Sequence, residues 1–539
     1  WVLDLFESCI QNSIYQNQPM FATEEKMNRL LTLSDVLASH ARLKPDAIGV
    51  RDSRREMSFS AWNNRASRLA NGLLALGLRK GDRVAVLAFN CAEWMEIYAA
   101  MARAGLVVVP INFRLTAPEV AYILGDAEAR CVIAQTALTD RVAAPGVAPD
   151  LVRISMGTEP LDGWQDYEQL IETASQQSVP VTVLPSDTSA LMYTSGTTGK
   201  PKGVIRSHEG STLIAMATAL EMGFTHQDIA LLVMPMCHAN SLYFSHTFAH
   251  LGATCVIDDS QHFEPEKLLR TLARERITFT SLVPTHFIMM LGLPEAVKAQ
   301  HDVSAVGRLM ISSAPARKDT KLAILDFFKN GRLYELYGST EAGWVTLLRP
   351  HEQLTQLGSV GREWAMSGPI RFLDADGQDV PDGEVGELFS RTAYSFDGYW
   401  KNEEKTQAAY AGHWCSVGDL GYRDSNGFIH LVDRKSNMII SGGENVYPSE
   451  VEGVLGTHPV VKDVAVIGIP DEKWGEAVHA FVVLHDETGV DSRGLLAWCR
   501  ERLAGYKCPK QVTLIQDHEM PRNPTGKLLH CVLRERYAA

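Results

Sequence analysis

Helix-like and strand-like segments alternate along most of the first 340 residues, and this alternation constrains the fold more than any other feature. Leu69, Leu73 and Leu76 fall on one helical face, Gly81-Asp82 breaks the run, and Val84 to Leu87 reads as an apolar strand. The pattern repeats through Ala92 to Ala104, Val107 to Val109, Glu119 to Leu124 and Cys131 to Ala134, and resumes from Asp187 to about Thr340. Such alternation predicts an α/β fold, with sheets covered by helices. After Pro369 the texture changes to short strands and turns, with Asp374-Ala375-Asp376-Gly377, Pro381-Asp382-Gly383 and Asp424-Ser425-Asn426-Gly427 as turn signals. A small β-rich subdomain is expected there, at about residues 365–434. From Ser436 onward the strand-like Val464 to Ile467 and Val478 to Leu484, with helices near Leu495 to Leu503 and Leu528 to Arg536, predict a separate α+β unit. The expected organisation is a large N-terminal domain over residues 1–434 and a small C-terminal domain over residues 435–539.

A chain of 539 residues exceeds what one hydrophobic core usually organises, which agrees with more than one domain. No apolar run reaches the length of a membrane span, and the first residues lack the order of a secretory signal, so a cytoplasmic protein is expected. The excess of 64 acidic over 51 basic residues disfavours wrapping a nucleic-acid backbone. Nine cysteines occur singly, without a CxxC pair or zinc-like spacing, and read as reduced, buried hydrophobes.

The most informative stretch runs from Tyr193 to Gly203, YTSGTTGKPKG, directly after the apolar Ala190-Leu191-Met192. Glycines free the backbone to turn its amides toward an anion, hydroxyls add donors and lysines add charge, so the stretch reads as a polyphosphate cradle. It is not the GxxxxGK[ST] loop of nucleoside triphosphatases, because Pro201 follows Lys200. Thr194, Ser195, Gly196, Thr197, Thr198 and Lys202 are its candidate phosphate contacts. The stretch closely resembles the phosphate loop of the adenylate-forming superfamily, which includes acyl-CoA synthetases, luciferases and peptide-synthetase adenylation domains.

Three further matches follow in the family's order, and the resemblance covers about Leu33 to Arg536. In Tyr334-Glu335-Leu336-Tyr337-Gly338-Ser339-Thr340-Glu341 it implies that Tyr337 flanks adenine, that Glu335 accepts from its amino group, and that Gly338 is also at the nucleotide. Thr340 would hold the α-phosphate and Glu341 would ligate Mg²⁺, a hard cation that suits one carboxylate plus phosphate oxygens and water. Ser313, Ala314 and Pro315 are also implied at the nucleotide. In Trp414-Cys415-Ser416-Val417-Gly418-Asp419, followed by Asp433-Arg434, it gives Asp419 the ribose hydroxyls and Arg434 the ribose and phosphate. Val417 departs from the family's usual threonine. In Pro521-Arg522-Asn523-Pro524-Thr525-Gly526-Lys527 it makes Lys527 the adenylation lysine, whose point charge suits the charge growing at phosphorus during displacement.

The resemblance thus implies an ATP-dependent acid:CoA ligase that uses ATP, Mg²⁺ and CoA, and related ligases are often dimers. It also implies a C-terminal domain that rotates about a residue just after the ribose arginine. Ser436 occupies that place, where aspartate or lysine is usual. After rotation Gly442 and Gly443 would admit the pantetheine arm, and Trp474 would stand near CoA. His238 matches the family histidine beside the acyl carboxylate. Ala239, Asn240, Ser241, Phe287, Ser312, Leu336 and Trp344 would line the acyl pocket, with Leu336 and Trp344 adding bulk that favours small or medium acids. A stand-alone adenylating enzyme that passes its acyl group to a carrier protein is the alternative. A peptide-synthetase domain would want an aspartate near Ala239, and a non-catalytic sensor would be expected to lose Lys527 or Glu341.

Overall fold

The computed structural model describes residues 30–537, apart from residues 144–145, 158, 160, 195–200, 313–315, 443, 486–490 and 523–527. The predicted alternation becomes two large sheets. In the first, Arg83–Leu87 lies between Val107–Ile111 and Ala129–Gln135, parallel to both. This sheet has eight strands and includes Thr188–Thr194 and Lys202–Ser207. The second has nine, with a parallel run through Thr254–Ile257, Ile229–Leu232, Phe279–Leu282, Arg308–Ser312 and Arg332–Ser339.

Strand periodicity of two decides which core each side chain joins. Val84 and Val86 point into a shared interior with Trp94, Ile97 and, from the second sheet, Ala230 and Leu232. Ala85 and Leu87 point outward onto Val120 and Ile123. Helices between two sheets must be apolar nearly all round, and Glu93–Ala104 and Ala239–Leu251 are buried on almost every side. Their ends follow local chemistry. Glu93–Ala104 stops at Gly105, whose φ of 65° lets its N–H bond back to Met101 O. Phe59–Ala75 starts at Ser58, whose hydroxyl accepts from Ala61 N. A third core lies on the outer face of the second sheet, where Leu231, Leu309 and Ile311 meet Leu268, Phe287 and Ile324.

The β-rich stretch forms a four-stranded sheet of Arg371–Leu373, Gly386–Phe389, Asp419–Arg423 and Ile429–Arg434. It is not self-contained, because Gly398–Tyr399 leaves it to pair with the edge strand Lys202–Ser207. Beyond Ser436 a five-stranded sheet builds on the long hairpin Val461–Asp471 and Gly475–Leu484. Helices Pro448–Leu455 and Ser492–Arg500 pack on one of its faces and His530–Tyr537 on the other. Ser449 N donates to Asp433 across the junction, and the Arg534 guanidinium donates to the carbonyls of Ser436 and Asn437. The eight cysteines among the described residues are unpaired, seven of them buried and Cys531 half-buried. No described helix is long and apolar enough to cross a membrane.

Candidate active site

The sequence motifs converge where open α/β sheets usually hold ligands, beyond the carboxyl ends of parallel strands. Ser312 ends Arg308–Ser312, Met234 to His238 follow Ile229–Leu232, and Tyr337 to Glu341 follow the parallel part of Arg332–Ser339. Thr194 ends its strand opposite Lys202 on the antiparallel return. Ser195, Gly196, Thr197 and Thr198 lie outside the described residues.

Glu341 is the centre of one cluster. The residue is 7% exposed, and its Oε1 accepts from the Tyr399 hydroxyl at 3.0 Å. Tyr399 reaches it because Gly398–Tyr399 extends the first sheet at Lys202–Ser207. The Lys202 ammonium stands 4.2 Å from the Tyr399 ring centroid. Burial pushes the pKa of Lys202 down, against the pull of Glu341. Arg206, which the sequence reading missed, clamps the turn that carries Thr340 and Glu341. Only 1% exposed, it donates to the backbone carbonyls of Glu341 at 3.2 Å and Tyr394 at 2.7 Å. Gly338 is required by close approach, since a Cβ there would lie 2.3 Å from Gly343 O.

A second cluster joins two motifs. The Tyr337 hydroxyl donates to Asp419 Oδ2 at 2.6 Å, and Arg434 Nε lies 3.0 Å from Asp419 Oδ1. Asp419 and Arg434 are cross-strand neighbours, so the sheet itself sets their pairing. Burial and then the neighbouring carboxylate raise the Tyr337 pKa, keeping the phenol protonated as a donor. Each carboxylate oxygen retains lone-pair capacity for a further donor.

Glu335 turns inward. Its Oε2 lies 2.5 Å from the ammonium of Lys321, on the helix Lys318–Phe327, and Oε1 accepts from Ala316 N at 3.4 Å. Lys321 belongs to no motif; the one signal was a lysine sharing the buried face of its helix with Ile324. Ser313, Ala314 and Pro315, just before Ala316, lie outside the described residues.

His238 caps the helix Ala239–Leu251, its Nδ1 accepting from Asn240 N at 3.4 Å. Burial lowers its pKa, so it is a neutral imidazole near neutral pH. The Asn240 amide donates to the hydroxyls of Ser281 at 3.0 Å and Ser312 at 2.9 Å, while Ser241 turns back onto Met234 O. Ala239, Leu336 and Trp344 are buried nearby, and the Trp344 indole donates to Thr218 Oγ1 at 2.9 Å and packs against Tyr243 and Phe244. Phe287 requires correction: it is fully enclosed in the outer core of the second sheet with Ile311 and Ile324, because its helix covers the sheet's far face.

In the C-terminal unit Gly442 has φ +64°, and an added Cβ would lie 3.0 Å from Trp474 Cε3. Trp474 is 36% exposed, with the Lys473 and Lys510 ammonium groups 4.6 and 5.1 Å from its ring. Ser436 lies between the strands Ile429–Arg434 and Ile439–Ser441. Gly443 and Lys527 lie outside the described residues, Lys527 in the stretch between the bridged Arg522 and Leu528.

Comparison with known proteins agrees with this fold. The AMP-binding enzyme family matches residues 37–400, and the AMP-binding enzyme C-terminal domain matches residues 450–527. The chain is 35% identical over 500 residues to a feruloyl-CoA synthase of Amycolatopsis, covering 92% of this chain and 97% of the relative. It is 36% identical over 489 residues to a long-chain-fatty-acid–CoA ligase of Mycobacterium tuberculosis, covering 90% and 93%. The solved o-succinylbenzoate CoA synthetase of Bacillus subtilis, in complex with ATP and magnesium, superposes with a TM-score of 0.80 at 30% identity, covering 92% of this chain and 98% of that one. The chain belongs to the AMP-binding enzyme family, within the adenylate-forming superfamily, among its AMP-forming acyl-CoA ligases.

Proposed function

We propose that this site joins a small or medium carboxylic acid, aliphatic, alicyclic or single-ring, to CoA in two half-reactions. The carrying observation is the convergence of Glu341, Lys202 and the Tyr337–Asp419–Arg434 set, in which Arg434 interacts with the charges of both Asp419 and Glu341. In the first half-reaction an oxygen of the acid's carboxylate attacks the α-phosphorus of ATP and pyrophosphate leaves. Two anions must meet, so charge neutralisation and alignment dominate. Thr194 and Lys202, with Ser195 to Thr198, hold the phosphates, Thr340 donates to the α-phosphate, and Lys527 neutralises the charge that grows there. Asp419 and Arg434 hold the ribose, and Tyr337, Gly338 and Ser313 to Pro315 enclose the base. His238, neutral and with Nδ1 accepting from Asn240 N, donates one hydrogen bond from Nε2 beside the acid without adding charge.

Glu341 suits Mg²⁺: its Oε2 accepts no hydrogen bond from the described residues, and no group of three metal-binding side chains exists among them. That fits an ion held by one carboxylate and completed by phosphate oxygens and water. When bound, the ion neutralises phosphate charge.

In the second half-reaction the thiolate of CoA attacks the acyl-AMP carbonyl, and AMP departs. The C-terminal domain, residues 435–539, turns about Ser436 and exchanges Lys527 for the Gly442-Gly443 hairpin, with Trp474 toward CoA. The bulk of Leu336 and Trp344, with Tyr243 and Phe244 behind the indole, supports the shorter acids. The relatives' named acids range from a feruloyl group to long-chain fatty acids and do not decide the point. A cytoplasmic homodimer is the expectation carried over from related ligases. A panel of acids assayed for AMP formation with and without CoA tests the reading. CoA-dependent turnover that peaks on C4 to C8 or single-ring acids supports it, and hexadecanoate outrunning them contradicts the size class. Adenylate that CoA fails to discharge would favour a carrier-protein acceptor.

A further inference from the structure

A cavity of about 20 Å³ lies in the interior shared by the two large sheets, and none of the nucleotide, acid or CoA motif residues lines it. It sits where three elements meet: the strand Thr188–Thr194, the helix His208–Met222 and the helix Ala239–Leu251. Part of the wall is apolar, but Ser189, His208, Ser211, Thr212, His246 and His250 line the rest. His208 and His246 are 5% and 8% exposed. Nε2 of His208, Nδ1 of His246 and Nε2 of His250 are buried and make no hydrogen bond among the described residues. A buried polar atom without a partner is costly.

Proton placement defines what is missing. Burial lowers the pKa of all three histidines and keeps them neutral near neutral pH. His250 Nδ1 stands 2.8 Å from His246 O, and a carbonyl only accepts, so the imidazole proton is on Nδ1 and Nε2 is a bare acceptor. The hydroxyls cannot supply a donor to it: Ser189 gives its proton to Arg206 O, Ser211 to Ser207 O and Thr212 to Leu31 O, each at 2.9 Å. The wall is therefore rich in acceptors and short of donors. Three imidazoles would suit a metal, but among the described residues no group of three His, Cys, Asp or Glu side chains is placed to hold one.

We propose that this cavity is an internal hydration site, holding a water molecule that donates to His250 Nε2 and to a hydroxyl oxygen of the wall and accepts from His208 or His246. Both volume and lining suit it, since one internal water needs about 10–15 Å³ and makes about two to four hydrogen bonds. The water ties the strand that leads to Thr194 to the helix that follows Arg206 and to the helix that His238 opens.

The test is a high-resolution crystal structure of the full chain grown near neutral pH. One ordered water should stand about 2.7–3.2 Å from His250 Nε2 and from a hydroxyl oxygen of Ser189, Ser211 or Thr212. An empty cavity, imidazoles turned onto protein partners, or an ion about 2.0–2.1 Å from the ring nitrogens would each overturn the proposal. In solution, oxygen-17 magnetic relaxation dispersion compares the parent with Ser211→Val, whose methyl groups occupy the cavity. The variant, its fold checked by circular dichroism, should hold about one long-lived internal water fewer. An equal count in the folded variant would overturn the site. Should Ser211→Val fail to fold, the crystal structure of the parent decides the matter.

Discussion

Acid should destabilise this fold through two buried histidines, and the size of the effect follows from their surroundings. His208 opens the helix His208–Met222 and His246 sits within Ala239–Leu251, at 5% and 8% exposure. His208 Nε2 and His246 Nδ1 are buried and make no hydrogen bond among the described residues. Burial lowers His208 from 6.5 to about 4, with Asp187 and Asp35 opposing and Lys80 adding. Burial lowers His246 from 6.5 to about 3, helped by His250 and His208. Below pH 6.5 the unfolded chain takes up protons that the folded chain refuses, so stability falls as pH drops toward the folded values. Between pH 7.5 and pH 4.5 each histidine withdraws about 2.5 kcal/mol, and the two together about 5. That is a large share of the ~5–15 kcal/mol typical of a folded domain. Urea unfolding of the parent, His208→Gln and His246→Gln at both pH values, followed by circular dichroism, isolates the effect from the carboxylates. Each variant should lose about 2.5 kcal/mol less than the parent over that interval. Equal losses in parent and variants would show that neither histidine contributes to the acid sensitivity.

Tyr337→Phe and Asp419→Asn should raise KM for ATP by about 10- to 100-fold and weaken AMP binding in calorimetry, with KM for the acid little changed, since both remove the charge-assisted Tyr337–Asp419 hydrogen bond that orients the proposed ribose acceptor. Gly442→Ala should slow CoA-dependent release of AMP by about tenfold while stopped-flow adenylate formation keeps its rate, because the new Cβ meets Trp474 at a left-handed φ.

Much of this was legible in the sequence because it is local. The strand Arg83–Leu87 and the helix Glu93–Ala104 declare themselves by period, and short motifs of fixed spacing single out Tyr337, Asp419 and Arg434, which the fold brings together. What escaped depends on packing between distant segments. Arg206 reads as one more strand residue until the turn at Glu341 and the carbonyl of Tyr394 close on it. Tyr399 reaches Glu341 only because a two-residue strand returns to the first sheet, a pairing too short to leave a pattern. Lys321 and Glu335 meet across a helix–strand contact that no motif encodes. Position among the motifs points Phe287 at the pocket, but its helix packs on the sheet's other face, with Ile311 and Ile324.

The central claim is that the chain makes an acyl-adenylate from a carboxylic acid and MgATP, with Lys527 neutralising the reacting phosphate. Continuous measurement of pyrophosphate release, with and without acid, in the parent and in Lys527→Ala tests this most directly. The account predicts acid-dependent release that falls by on the order of 10²- to 10³-fold in the variant, as expected for removal of one group that stabilises developing charge. No release with any acid tried, or equal rates in parent and variant, would contradict it.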